Sequence, residues 1–171
     1  QSLPIYADTP ALGNTFTFNK YNTFTEDVIG ALKFYARNIN SLSSDEDVRV
    51  SSRIYLPASR LRGFQSGKFG PKDGDDHVGG NYAAALSFEA LLPNLLPEET
   101  KTDVSLFLDT ANLWGVDDET LDDGSELRSS IGLGVEWFTP VGPLSFSLAS
   151  PITKSSTDKT ETFRFNLGTT F

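Results

Sequence analysis

A lone histidine, several carboxylate clusters and one loop arginine are the residues of this sequence that could do chemistry. His77 lies among Asp75, Asp76 and Gly79. A Ser–His–Asp relay needs its base held against a nucleophile on a strained strand-to-helix elbow, and no elbow motif occurs near it. His77 on a long polar loop therefore predicts no catalysis, and the chain is read as a non-enzyme. Asp73, Asp75 and Asp76, and the run Asp117, Asp118, Glu119, Asp122, Asp123 and Glu126, carry oxygen ligands of the kind that bind divalent cations. Their spacing does not match an EF-hand loop, so they read as solvated loop acids, with no metal and no cofactor. Gly132-x-Gly134 falls within an alternating stretch and lacks the strand–turn–helix setting of a nucleotide fingerprint. Arg62, in Leu61-Arg62-Gly63-Phe64, is different. A guanidinium can take carboxylates with its donors and an aromatic ring with its face.

Composition narrows the class. The chain has 171 residues, enough for one domain, and a formal net charge of -9. Phosphate binding relies on Lys and Arg displacing counterions, so no nucleic-acid partner is expected. Cysteine is absent, which excludes disulfide frameworks and Cys-based zinc sites. No segment approaches the roughly 20 consecutive apolar residues of a membrane-spanning helix. A membrane barrel is untouched by that test, because its strands hide their apolarity in alternation. Methionine is absent too, Gln1 follows no signal-peptide pattern, and Gln1 to Asp8 reads as a strand already under way. The chain is therefore expected to be a fragment of a longer protein.

About eight strands must position these residues. Period-two alternation is sharpest toward the C-terminus: Ile131, Leu133, Val135 and Trp137 against Gly132, Gly134 and Glu136; Leu144, Phe146 and Leu148 against Ser145, Ser147 and Ala149; Phe163, Phe165, Leu167 and Phe171 against Arg164, Asn166, Gly168 and Thr170. Upstream, strands are expected around Val104–Asp109, Tyr82–Leu92, Val28–Asn38, Asn14–Phe24 and Gln1–Asp8. The links between them alternate in length. Glu26-Asp27, the Pro93–Thr100 stretch and Thr139–Pro143 are short or middling, whereas residues 39–78, 115–127 and 152–162 are long and polar. Because each link reverses the chain, long links gather on one rim and short ones on the other, as in an outer-membrane barrel. Small and polar residues would then face a lumen and Leu, Val, Ile and Phe would face lipid, with Trp114, Trp137, Phe138, Phe163 and Phe171 near strand ends as an aromatic girdle. A soluble β-sandwich also alternates, but its wet face usually carries Lys, Glu and Thr rather than Gly, Ser and Ala.

Four segments together resemble the BamA family of outer-membrane assembly factors. They are Leu61-Arg62-Gly63-Phe64-Gln65 with Gly70-Pro71-Lys72 and Gly79-Gly80-Asn81; Phe88-Glu89 before a proline; Phe107-Leu108-Asp109 with Asn112 and Trp114; and Arg128-Ser129-Ser130 through Trp137, Pro140, Gly142-Pro143-Leu144 and Phe146-Ser147 to Phe163–Phe171. Leu61 stands where the family motif often has Val. The resemblance implies an all-β, antiparallel transmembrane barrel of sixteen strands. This chain, residues 1–171, would supply the C-terminal half of about eight strands, an open sheet when alone, with the loop 39–78 folded inward and the N-terminal periplasmic domains missing. It also implies that Arg62 meets acidic and aromatic wall residues in the lumen. Strand parity separately turns Glu89, Phe107 and Asp109 inward. Such a cluster would hold a loop that otherwise has no hydrophobic anchor.

The implied function is insertion of unfolded outer-membrane clients into the bacterial outer membrane, with accessory lipoproteins reached through the missing domains. Phe163, Phe165, Leu167, Gly168 and Phe171 would form both the chain's own assembly signal and a weak lateral seam, Gly168 being its weak point for want of a side chain. A related outer-membrane polypeptide-secretion pore shares the loop motif and is the alternative. A soluble β-sandwich binding module is the third reading.

Overall fold

Alternation of apolar and small residues resolves into long antiparallel strands because side chains point to opposite faces at successive positions. The computed structural model describes residues 11–43, 47–117, 121 and 124–168. Its strands are β1 (Ala11–Thr25), β2 (Val28–Ser41), β3 (Lys72–Asp73), β4 (Asp76–His77), β5 (Tyr82–Leu92), β6 (Thr102–Trp114), β7 (Arg128–Thr139), β8 (Gly142–Thr153) and β9 (Phe163–Leu167). Seven form one antiparallel sheet in the order β1-β2-β5-β6-β7-β8-β9, and β3 pairs with β4 in a separate hairpin. The expected strand at Gln1 to Asp8 lies outside the described residues, as do Thr169 to Phe171.

The sheet is a meander interrupted once. Short turns join β1 to β2 and β7 to β8, and the 93–101 connection joins β5 to β6; the long links 42–81, 115–127 and 154–162 all leave from the opposite rim. The small hairpin was not foreseen, although Asp73-Gly74-Asp75 is a hairpin signal. Gly74 has φ +58°, a conformation in which glycine meets no steric cost.

The two faces meet different surroundings. On one, Phe16, Phe18, Phe88, Leu106, Leu108, Ile131, Leu133, Trp137, Leu148, Phe163, Phe165 and Leu167 are exposed. On the other, Ala83, Ala85, Glu89, Phe107, Asp109, Ala111, Ser130, Ser145, Ser147 and Ala149 are buried. This inverts the arrangement of a water-soluble domain, where large apolar side chains go inside. The buried face is covered by the 42–81 loop. An apolar outer band suits hydrocarbon, so a charge there is costly. Leu133, midway along β7, is expected to cost about 2–4 kcal/mol when replaced by arginine, read from urea unfolding of the full-length protein in bilayers. An unchanged unfolding midpoint would contradict a lipid-facing position.

Candidate functional site

The β5–β6 ladder builds a platform before the loop arrives. Ser87 pairs with Asp109 and Glu89 with Phe107, and all four project to the inner face. Residues directly opposite on one face of an antiparallel pair sit roughly 5 Å apart. Two acids, a hydroxyl and a phenyl ring are therefore gathered into one patch. Glycine clears space beside it: an ideal Cβ at Gly132 of β7 would lie 2.5 Å from the Phe107 ring and 2.2 Å from the Leu148 carbonyl oxygen.

Arg62 descends onto this platform from the 42–81 loop. Its Nε donates to Asp109 Oδ2 at 2.7 Å and its Nη2 to Asp109 Oδ1 at 2.8 Å, a two-pronged contact. The Arg62 backbone N–H donates to the same carboxylate at 3.1 Å. Nη2 also reaches Ser87 Oγ at 3.1 Å, and that hydroxyl donates to Asp109 Oδ1 at 2.6 Å. Nη1 lies 2.5 Å from Glu89 Oε1. The guanidinium carbon sits 3.6 Å from the centroid of the Phe107 ring. Ser130 Oγ donates to the Arg62 carbonyl at 2.5 Å, so the loop backbone is held as well. Lys33 of β2 pairs with Glu89 from the other side. Two cations thus balance two carboxylates, which is what allows Asp109 to be fully buried and Glu89 nearly so. Burial works against a charged Arg62; the hydrogen bond and charge of Asp109, then the charge of Glu89, outweigh it and raise the pKa above its ordinary value. Such an arrangement keeps the guanidinium charged and fixed in place: it is a clamp.

The geometry corrects one expectation. The loop does have a hydrophobic anchor. Leu61 and Phe64 are completely buried in a cluster with Ile39, Val48, Ile54, Leu56, Phe69, Ala83, Ala85, Ala111 and Leu113. Phe64 meets Phe69 edge-on, with centroids 5.8 Å apart. Small wall residues, chiefly the alanines of β5 and β6, leave the volume that the loop's larger side chains fill. Gly63 between them has φ +92°, and its ideal Cβ would approach Ala149 Cβ to 3.0 Å, so the turn that separates Arg62 from Phe64 needs glycine.

The remaining expected site residues lie elsewhere. Phe163, Phe165 and Leu167 project from the outer face of β9, where Phe165 packs on Phe146 at 5.2 Å between centroids. Gly168 follows the strand with φ +107°; its N–H donates to the Pro143 carbonyl at 2.8 Å and its carbonyl accepts from Ser145 Oγ at 3.3 Å. Backbone conformation, more than missing packing, is what this glycine supplies. Phe171 lies outside the described residues. His77 sits on β4 opposite Lys72, and burial together with that lysine lowers its pKa.

Several contributors were missed. Ser87, Ser130 and Lys33 all had inward parity, which was the available signal. Asp117, expected to be merely solvated, accepts the Val48 N–H at 2.9 Å and Asn81 Nδ2 at 2.8 Å, tying down the base of the loop. Asp118, Glu119, Asp122 and Asp123 lie outside the described residues.

The chain is similar to known proteins. The Omp85 superfamily domain matches residues 6–171. The outer membrane protein assembly factor BamA of Neisseria meningitidis serogroup B is 36% identical over 141 residues, covering 65% of this chain and 17% of that protein. BamA of Neorickettsia risticii is 32% identical over 154 residues, covering 88% of this chain and 20% of that protein. The chain thus spans about a fifth of the length of these relatives. The crystal structure of BamA from Haemophilus ducreyi lacking POTRA domains 1-3 superposes with a TM-score of 0.75 at 27% identity, over 92% of this chain and 34% of that one. The chain belongs to the Omp85 superfamily, with the fold of a bacterial outer-membrane β-barrel of the BamA type.

Proposed function

We propose that this chain is the C-terminal half of a barrel that assembles and inserts other β-barrel proteins into the bacterial outer membrane, without covalent chemistry, and that clients add at a lateral seam along β9. The unfolded clients and the lipid bilayer are its partners; accessory lipoproteins act through domains upstream of this segment. The carrying observation is the place of β9 at the end of the sheet, paired with β8 and with no other strand among the described residues. The outer edge of such a strand carries unpaired N–H and C=O groups, and these are a template for strand addition. In hydrocarbon each such group costs several kcal/mol if left unsatisfied, so a client strand that pairs with them is strongly favoured. The Arg62 clamp holds the long loop on the inner wall.

Cysteines at Asn166 or Leu167 of the full-length protein, reconstituted in liposomes, are expected to crosslink to the terminal strand of a folding client barrel. Cysteine at Leu108, in mid-wall, is expected not to. Depletion in cells should lower many outer-membrane barrels together. Loss of a single secreted cargo, with barrels unaffected, would identify a secretion pore and overturn the proposal.

A further inference from the structure

The link between β8 and β9 is bonded to the arginine loop. Phe64 and Thr160 form an antiparallel bridge. Gln65 N–H donates to the Lys159 carbonyl, Lys159 N–H to the Lys68 carbonyl and Glu161 N–H to the Gly63 carbonyl, each at 2.9 Å. Beside this small ladder Asp158 meets Arg128, the first residue of β7, and both side chains are fully shielded from solvent. Arg128 Nε and Nη2 donate to the two Asp158 oxygens at 2.8 and 3.1 Å. Its Nη1 donates to the carbonyls of Gly124 and Glu126 at 2.8 and 2.7 Å. The guanidinium carbon lies 5.9 Å from the Phe69 ring centroid. Asp158 also accepts the Ser155 N–H at 2.7 Å. One guanidinium therefore joins all three long links.

A buried ion pair adds little net stability over apolar packing, since desolvating both charges offsets their attraction. What it supplies is direction, because a forked cation accepts few geometries. None of the groups that hold Arg62 is used by this second pair. Its location is what matters: Asp158 precedes the start of β9 by five residues, and the intervening backbone is hydrogen-bonded to the residues just after Arg62.

We infer that Arg128 and Asp158 are positioning residues, whose ion pair clamps the 154–162 link onto the tip of the Arg62 loop so that the entry to the C-terminal strand moves with that loop as one body. The inference rests on the reading that β9 receives clients. Displacing the arginine loop then shifts the first residues of β9, and a client that distorts β9 is felt at the loop.

The test is amide hydrogen exchange on full-length protein in bilayers carrying Asp158→Asn. Losing one charge-assisted contact is expected to speed exchange at Gln65, Lys159 and Glu161 by about tenfold to a hundredfold, with the Arg62 amide, held by Asp109, unchanged. Arg128→Lys, which keeps the charge and loses the fork, is expected to give a smaller acceleration at the same three amides and serves if Asp158→Asn fails to fold. Loosening of 154–162 with Gln65 still protected would show two independent loops and overturn the inference. Equal acceleration everywhere, Arg62 included, would show a general loss of stability and overturn it too. Client folding is measured on the same proteins. Loosened amides with undiminished client folding would leave the clamp standing and sink the role assigned to β9.

Discussion

Replacing Arg62 by alanine is expected to cost about 3–5 kcal/mol of barrel stability and to release the tip of the 42–81 loop. The size follows from what stays behind. Asp109 is fully buried and Glu89 nearly so, and Arg62 makes the only ion pair to Asp109 among the described residues. Removing the cation leaves Asp109 with Ser87 and the loop amide as donors, too little to replace a charge in a dry site. Lys33 remains for Glu89, so the two acids are affected unequally. Lysine at position 62 is expected to recover only part of the loss, since a point charge cannot span both Asp109 oxygens, Glu89 and the Phe107 face together. The reading is a denaturant midpoint together with protease cleavage within residues 42–81, wild type against Arg62→Ala and Arg62→Lys. Equal midpoints for all three would mean the cluster is ornamental. Barrel-assembly activity should fall in step with cleavage if the seated loop is what supports it.

Phe64→Ala is expected to cost a similar amount, about 3–5 kcal/mol, by a different route. The ring is wholly buried and contacts Phe69, so truncation opens a cavity that the rigid wall of β5 and β6 cannot close. No charge is uncovered. The Arg62 clamp should survive, with protection of its backbone amide retained while the segment beyond Gly63 loosens. Because residues 62 and 64 are neighbours holding one loop, the double variant is expected to depart from additivity by about 0.5–3 kcal/mol. A thermal or urea series of the two single variants and the double variant reads this directly. Strict additivity would mean that the polar and apolar anchors hold separate pieces of loop.

Much of this was legible beforehand, for an identifiable reason. A strand's side-chain period is two whatever its neighbours do, so the inward parity of Glu89, Phe107 and Asp109 follows from counting. Link lengths follow equally directly, and with them the segregation of long links to one rim. The loop's apolar anchor was not legible in the same way. Ile54, Leu56, Leu61, Phe64 and Phe69 show no regular spacing, and an irregular loop has no period from which a buried face can be read. The hairpin at Lys72–His77 does carry a local turn signal, Asp73-Gly74-Asp75, within an otherwise irregular loop.

The amino-acid order by itself determined which residues line each face of the wall and where the chain turns, because both depend on local geometry alone. Only tertiary structure decided what lies against the inner face. That Arg62 settles on Asp109 47 residues away depends on the β2-to-β5 connection folding back over the sheet, and that Arg128 settles on Asp158 30 residues away depends on the β8-to-β9 link folding over the start of β7. Such pairings are chosen by the desolvation of charges that must find one another in a dry interior, and that energy exists only once the wall and the loop have come together.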